Sequence, residues 1–193
     1  GNMNYPNKKE NSHTSFIQYG KRGMTLENDI NLSNKYYLDN DIAVIYKKPT
    51  PIKIVKVDYP SRDKAVIKEA YFTVPSTTDY NGIYKGHHID FEAKSCKGKS
   101  FTFNNLYTHQ IEHLKLVERH GGISFLLIRF NDFEEVFIVP TNILYEEFQK
   151  SLNGGRKSLS YEFVKKLGYQ VHTGYAPLVD YLKTVDEIFL KGE

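Results

Sequence analysis

Three charged side chains in one short segment of this sequence have the types and spacing of a metal-dependent hydrolytic site. In the run IDFEAK, strand alternation places Asp90, Glu92 and Lys94 on one face and the intervening apolar residues on the other. Asp79 lies thirteen positions before Glu92. Carboxylates at the ends of adjacent strands suit a hard divalent ion that keeps several waters. A nearby lysine can orient an attacking water and offset phosphate charge while the metal polarises the phosphoryl oxygen.

The same pattern has a second interpretation, a surface ladder of salt bridges in which Glu92 pairs with Lys94 or with a neighbouring strand. An acid two residues before a lysine is common in any charged protein. The apolar alternate positions and the upstream Asp79 favour the site, because three ionisable groups on a core strand are costly unless solvated, paired or bound to a cation.

Residue patterns predict the elements that must position these side chains. Thr25 is a plausible cap for the first helix, and Asn104 for the second. Apolar periodicity predicts helices over residues 24–38, 105–119, 141–151, 159–167 and 178–190. β-rich runs predict strands over residues 42–48, 71–74, 77–84, 87–95, 122–130 and 134–140. This order indicates a mixed α/β (α+β) domain with a small central sheet.

One segment, residues 48–75, departs from this pattern. It holds four of the seven prolines, interleaved with lysines and β-branched residues. Proline disfavours a central strand, so we expect a protrusion or an edge ribbon. Residues 47–68 also carry seven basic against two acidic side chains, although the whole chain has a net charge of only +3. Such a stretch is typical of a polyanion binder, and a solvated charged face is the alternative.

Composition excludes several classes of protein. The single cysteine, Cys96, excludes a disulfide framework and a cysteine-rich zinc site, and it fits a reducing cytoplasm. No apolar run approaches the roughly 18 residues of a membrane span, and the polar first residues do not resemble a secretory signal. His109 and His113 have the spacing of helical metal ligands, but no third ligand is evident. We therefore expect a cytoplasmic globular protein without a membrane partner.

Three segments together resemble a known family, the RecU Holliday junction resolvases of Gram-positive bacteria, within the PD-(D/E)xK nuclease superfamily. They are YGKRGMTLENDINLSNKYY (19–37), TDYNGIYKGHHIDFEAK (78–94) and FNNLYTHQIEHL (103–114). The resemblance runs from about residue 15 to residue 190. It implies a restriction-endonuclease-like central mixed sheet flanked by helices. A disordered tail over 1–14 would precede a single nuclease domain, 15–193, interrupted by a protruding stalk at about 48–75.

The resemblance also implies roles for individual residues. Asp79, Glu92 and Glu27 would hold Mg²⁺, with Mn²⁺ as a substitute and Thr78 adding its hydroxyl in place of the superfamily's proline. Lys94 would be the superfamily lysine, and Gln110 would lie near the scissile phosphate or steer Lys94. DNA contacts would come from a further set of basic residues, Arg22, Lys53, Lys56, Arg62, Lys64 and Lys68.

The implied activity is cleavage of Holliday junctions by paired symmetric nicks during recombination and repair. A two-fold homodimer is the simplest way to place two sites on opposite strands of a four-way junction. A strand-exchange recombinase and a branch-migration helicase are the implied protein partners. Two alternatives stay open, a duplex-cutting nuclease of the same superfamily and a junction-binding recombination factor without turnover.

Overall fold

A computed structural model describes residues 24–193, and the predicted tail over 1–14 and Arg22 lie outside these described residues. The helices are α1 (Leu26–Asp39), α2 (Thr108–Arg119), α3 (Thr141–Leu152), α4 (Tyr161–Leu167) and α5 (Tyr181–Phe189). The first five strands are β1 (Ala43–Lys47), β2 (Ile52–Ser61), β3 (Lys64–Phe72), β4 (Tyr80–Tyr84) and β5 (His87–Cys96). The others are β6 (Ser100–Thr102), β7 (Ile123–Phe130), β8 (Glu135–Pro140), β9 (Ser158–Ser160) and β10 (Tyr169–Val171).

Six strands form the central sheet in the order β1-β4-β5-β7-β8-β10. Only β5 and β7 are parallel, and α2 forms the crossover between them. Alternate residues of β7 enter two separate cores, with Phe125 and Leu127 on one face and Leu126 and Ile128 on the other. Helices α1 and α5 cover the first face, while α2, α3 and α4 cover the second. The predicted mixed α+β architecture with a central sheet between helices is confirmed.

The first helix begins where the sequence predicts, because the side chain of Thr25 accepts a hydrogen bond from the N–H of Asn28. The prediction for the second helix is wrong at its start. Asn104 belongs to a short 3₁₀ turn, and α2 begins at Thr108 after Tyr107. The main-chain N–H of Tyr107 donates to Oε1 of Gln110 at 3.2 Å, and this local hydrogen bond fixes the later start.

Strands β2 and β3 form a hairpin outside the central sheet, which we call the stalk. Nearly all of its residues are exposed, so it contributes little to the core. The stalk is inserted between two strands that pair with one another, since Lys47 at the end of β1 lies opposite Tyr80 at the start of β4. The predicted strand over 71–74 is accordingly wrong, because residues 71 and 72 end β3 and residues 73–79 lead back to the sheet.

Candidate active site

The segment before β4 and the middle of β5 bring Asp79 and Glu92 together. Tyr80 pairs with Phe91 across the antiparallel β4–β5 ladder, so the residues that flank this pair are also neighbours. The main-chain N–H of Asp79 donates to Oε2 of Glu92 at 3.1 Å. Asp79 and Glu92 are thus in direct contact, although thirteen positions apart in sequence, because only a tight turn joins strands β4 and β5.

Gln110, in the first turn of α2, orients the carboxylate of Glu92. Its Nε2 donates to Oε2 of Glu92 at 3.3 Å and to the carbonyl of Thr77 at 3.4 Å. Its Oε1 accepts from Tyr107, so both ends of the amide are engaged. Because Gln110 and Glu92 are both buried, this contact fixes α2 against the site.

Burial of Glu92 corrects the prediction that the charged residues of β5 turn away from the core. Glu92 and Asp90 are each only 1% exposed, since α2 covers their face of the strand and the Phe91 face packs on α1. The pKa of Glu92 is raised to about 8. Burial is the largest cause, the negative charge of Asp79 adds to it, and the ammonium of Lys94 acts in the opposite direction.

Lys94 and Glu27 lie around this pair on different elements. Lys94 follows Glu92 by two positions on β5 and is partly exposed. Glu27 is in the first turn of α1, and its Oε1 lies 3.5 Å from Nζ of Lys47. Burial raises the pKa of Tyr80, and the negative charges of Glu27, Asp79 and Glu92 raise it further.

An ion pair at the start of α1 sets the position of Glu27. Asp29, two residues later, accepts from Nη1 of Arg129 at 2.6 Å. Arg129 belongs to β7, and its Nη2 donates to the carbonyl of Met24 at 3.0 Å. Both groups of the Asp29–Arg129 pair are largely buried, which makes this attachment of the helix to the sheet firmer than a surface ion pair.

The donors around Asp79 fit a hard cation. The carboxylates of Asp79 and Glu92 supply oxygens, which Mg²⁺ prefers. The Gln110 amide turns its Nε2 toward Glu92 and the carbonyl of Thr77, so it is a hydrogen-bond donor there and not a metal ligand. A cation also fits the charge of the site, because it would stabilise the ionised form of a buried Glu92. Within residues 24–193, no group of three or more His, Cys, Asp or Glu side chains is already arranged to hold a metal. Asp79 and Glu92 would therefore bind directly, and water oxygens would complete the ligand set.

The hydroxyl of Thr78, which is predicted as a metal ligand, has a carboxylate partner on β5. The hydroxyl donates to Oδ1 of Asp90, on the side of the strand that faces α2. Oδ2 of the same carboxylate contacts Nε2 of His113 at 2.9 Å and Nε2 of His88 at 3.1 Å. The surroundings of Thr78 are therefore a second buried polar cluster beside the Asp79–Glu92 pair.

Two residues at the edge of the site do not appear among the residues predicted from the sequence. Lys48 donates from Nζ to Oγ1 of Thr77 at 2.7 Å and from its main-chain N–H to the carbonyl of Asp79 at 2.6 Å. Thr77 also accepts from Gln110. The basic stretch that begins at Lys47 is the available signal for Lys48, whereas nothing in the sequence distinguishes Thr77 from other threonines.

The predicted DNA contacts lie on the stalk, away from the acids. Lys53, Lys56, Arg62, Lys64 and Lys68 are all exposed there. Lys68 is 3.8 Å from Asp58, and both groups are about half exposed, so this pair is weak. The stalk therefore presents basic groups to solvent at a distance from the core, whereas Lys47 and Lys48 lie at its base beside the site.

Other reactive side chains do not form a competing site in the described part of the chain. His87 contacts Glu193 at 2.8 Å and His88 contacts Asp90, so the two neighbours diverge as strand geometry requires. Burial raises the pKa of the Cys96 thiol, and Asp132 adds to it, which disfavours a thiolate nucleophile. No helix in residues 24–193 is both long enough and apolar enough to cross a membrane.

Comparison with known proteins gives consistent matches over nearly the whole chain. The profile of the family described as Recombination protein U, RecU, matches residues 21–187. A protein of Staphylococcus epidermidis named Holliday junction resolvase RecU is 49% identical, covering 97% of both chains. A protein of the same name from Geobacillus sp. is 47% identical, covering 98% of this chain and 96% of its own. The solved structure of Hjc, a Holliday junction resolvase from Archaeoglobus fulgidus, covers 54% of this chain and 78% of its own at 13% identity, with a TM-score of 0.37.

Proposed function

This chain belongs to the RecU family, and from that premise we propose that it is a metal-dependent endonuclease that resolves Holliday junctions by paired symmetric nicks. The observation that supports this most strongly is the convergence of Asp79, Glu92 and Gln110, in which the Glu92 carboxylate accepts hydrogen bonds from the other two residues. Oxygen donors in this arrangement suit phosphodiester hydrolysis, in which water attacks phosphorus. The relatives' names supply the substrate, a four-way DNA junction.

Each residue of the site then has a role. Asp79 and Glu92 hold Mg²⁺, with Mn²⁺ as a substitute, and Glu27 completes the site directly or through water. The metal, when bound, polarises the phosphoryl oxygen and stabilises developing charge. Lys94 orients the attacking water and offsets the charge of the phosphate. Gln110 keeps the Glu92 carboxylate in place through its 3.3 Å hydrogen bond.

Basic groups of the stalk and of the segment before α1 bind the DNA. Lys53, Lys56, Arg62, Lys64 and Lys68 of the stalk meet the junction, and Arg22, outside the described residues, adds a phosphate contact. Binding through phosphate neutralisation is strongly salt-dependent and weakly sequence-selective. The stalk gives this binding its preference for shape, because a long exposed hairpin can enter the opening of a four-way junction but gains little from a continuous duplex.

A second copy of the chain supplies the second site. Val44 lies opposite Ile83 in the β1–β4 ladder, and both are about half exposed. Tyr46, two positions along β1, is 58% exposed on the same side. Contiguous apolar surface at the edge of a sheet is typical of an interaction site. A two-fold dimer through this surface, in the cytoplasm with the chromosomal DNA, would direct two sites at opposite strands.

The experiment that tests the function compares cleavage of a synthetic four-way junction with cleavage of a matched linear duplex. Wild type and Glu92→Gln are each assayed with Mg²⁺ and with EDTA. We expect symmetric nicks only in the junction, only with Mg²⁺ and only in wild type. Equal cutting of the duplex would indicate a duplex nuclease of the same superfamily, and binding without cutting would indicate a recombination factor without turnover.

A further inference from the structure

A buried carboxylate that the proposed reaction does not use lies next to the site. Asp90 is 1% exposed and accepts at both oxygens, from the hydroxyl of Thr78 at Oδ1 and from His113 and His88 at Oδ2. Because a buried carboxylate is costly without hydrogen bonds or positive charge, this arrangement constrains all of its partners. Its oxygens are both occupied, so Asp90 is not available as a ligand for the metal.

The Asp90 cluster and the Glu92 cluster fasten the same short segment. Thr77 accepts from Gln110 through its carbonyl, Thr78 donates its hydroxyl to Asp90, and Asp79 donates its N–H to Glu92. Three successive residues are thus attached to two alternate carboxylates of β5 and to α2. The hydrogen bond from Thr78 to Asp90 is the middle one of the three, and it sets the direction in which the backbone enters Asp79.

Helix α2 is also attached to both of these carboxylates of β5. Gln110 contacts Glu92, and His113, one helical turn later on the same side, contacts Asp90 at 2.9 Å. Two contacts at this spacing fix both the position of α2 along β5 and its rotation. The contact at His113 therefore helps to hold Gln110 at the distance that its hydrogen bond to Glu92 requires.

We propose that Thr78, Asp90 and His113 form a positioning chain that holds Asp79 and Gln110 in the arrangement needed for metal binding and cleavage. The proposal rests on the proposed function for the reaction, but the geometry that it explains is independent of the substrate. None of these three side chains touches the reacting atoms in the proposed reaction. Each acts through its neighbour, from His113 to Asp90, from Asp90 to Thr78 and from Thr78 to the backbone of Asp79.

Two matched pairs of substitutions test the two ends of the positioning chain, Thr78 and His113. Thr78→Val removes the hydroxyl at nearly constant volume, and Thr78→Ser keeps it. His113→Leu removes the donor to Asp90, and His113→Gln keeps an N–H with similar reach. Tyr161→Phe is the control, because the hydroxyl of the buried Tyr161 donates to Glu135 at 2.8 Å, between α4 and β8, without touching residues 77–79, β5 or α2.

Two readouts are measured for each variant, the Mg²⁺ dependence of junction cleavage and, without DNA, the affinity for Mn²⁺ by calorimetry. We expect Thr78→Val and His113→Leu to weaken metal affinity and lower the cleavage rate by about tenfold or more, as is typical for groups that orient metal ligands. Thr78→Ser, His113→Gln and Tyr161→Phe should stay within about twofold of wild type.

Each contrary outcome is informative. If Thr78→Val and His113→Leu lose only thermal stability, as expected of Tyr161→Phe, the cluster is structural and the proposal is wrong. If Thr78→Val weakens metal binding while His113→Leu leaves it unchanged, Thr78 is itself a ligand and the positioning chain is wrong. A wild type that binds Mn²⁺ but does not cut junctions would contradict the proposed function alone, since calorimetry still compares the variants.

Discussion

The N–H of Asp79 donates a 3.1 Å hydrogen bond to the carboxylate of Glu92, so the backbone of one acid is fixed by the side chain of the other. The same oxygen of Glu92 accepts from Gln110 at 3.3 Å. These two hydrogen bonds define the orientation of the Glu92 carboxylate. A site whose side chains are already oriented loses less conformational entropy when it binds a ligand. The substitution of one acid should therefore affect catalysis more than folding.

We expect Asp79→Asn to reduce junction cleavage by about a hundredfold or more, because the carboxylate that we propose as a metal ligand is replaced by a neutral amide. Binding of the junction in EDTA should stay the same or become tighter, since one negative charge near the phosphate is removed. Cleavage rates and gel-shift affinities check the two parts. Asp132→Asn is the control, because Asp132 accepts from the N–H of Gly98 in a turn far from Glu92. Full cleavage by Asp79→Asn would contradict the assignment.

The stability of the metal-free protein should fall as the pH rises. Glu92 has a pKa of about 8 in the folded protein against an ordinary value of 4.5. Its contribution to stability is therefore fully present below about pH 4.5 and is lost as the pH rises through 8. In Glu92→Gln this contribution does not titrate. Urea unfolding in EDTA should show wild type losing about 4 kcal/mol relative to the variant between pH 5 and pH 9. Parallel curves for the two proteins would contradict the burial of an ionisable Glu92.

Removal of the Tyr80 hydroxyl should leave the protein as stable as wild type or more stable by about 1 kcal/mol. The ring is 1% exposed and stacks on Phe91 with 4.9 Å between centroids, and Phe keeps this contact. Within residues 24–193 the hydroxyl has no hydrogen-bond partner. The matched control is Tyr37→Phe, which should cost about 1 kcal/mol because the Tyr37 hydroxyl donates to Asp180 at 2.8 Å. Thermal unfolding measures both, and a larger loss in Tyr80→Phe than in Tyr37→Phe would contradict the prediction.

A shortened stalk should damage recognition of the junction before it damages folding. Ile54 pairs with Ala70, so an Asn-Gly turn can replace residues 55–69 and close the hairpin at that pair. The removed residues are nearly all exposed, and we expect the melting temperature to change by only a few degrees. The preference for junction over duplex in competition binding should fall by about tenfold or more. Retention of full selectivity would show that the stalk does not read the junction.

Val44→Lys should convert a dimer into a monomer. Val44 and Ile83 face each other at the edge of the sheet, and a lysine there would place a charge in an apolar interface. Light scattering after size-exclusion chromatography measures the mass of each variant. Leu152→Lys is the control, because Leu152 is 63% exposed at the end of α3, away from β1. A wild type that is monomeric, or a Val44→Lys protein that stays dimeric, would contradict this interface.

Local signals in the sequence predict those parts of the fold that local contacts determine. Thr25 caps α1 through a residue three positions away, and β4 and β5 are joined by a tight turn that brings Asp79 to Glu92. The start of α2 differs because the hydrogen bond between Tyr107 and Gln110 replaces the expected cap at Asn104. A propensity for capping does not show which of two nearby polar residues makes the bond.

The burial of the charged face of β5 depends on contacts that are distant in sequence. The partners of Asp90 lie twelve positions before it, at Thr78, and twenty-three after it, at His113. Strand alternation correctly separates Asp90 and Glu92 from Phe91, but it does not show that α2 covers them. Both faces of β5 are buried because helices pack on both sides of the sheet, α2 over Asp90 and Glu92 and α1 over Phe91.

The insertion point of the stalk joins it mechanically to the site. Lys48, at the base of the stalk, donates to the carbonyl of Asp79 through its main chain and to Thr77 through its side chain. On the other side of the base, Thr73 donates to the carbonyl of Pro51 at 3.1 Å. The base of the hairpin is thus hydrogen-bonded to the backbone of Asp79, the acid that we propose as a metal ligand. A displacement of the stalk by bound DNA would therefore be transmitted to this peptide, and the proposed recognition of junction shape would be coupled to the position of Asp79.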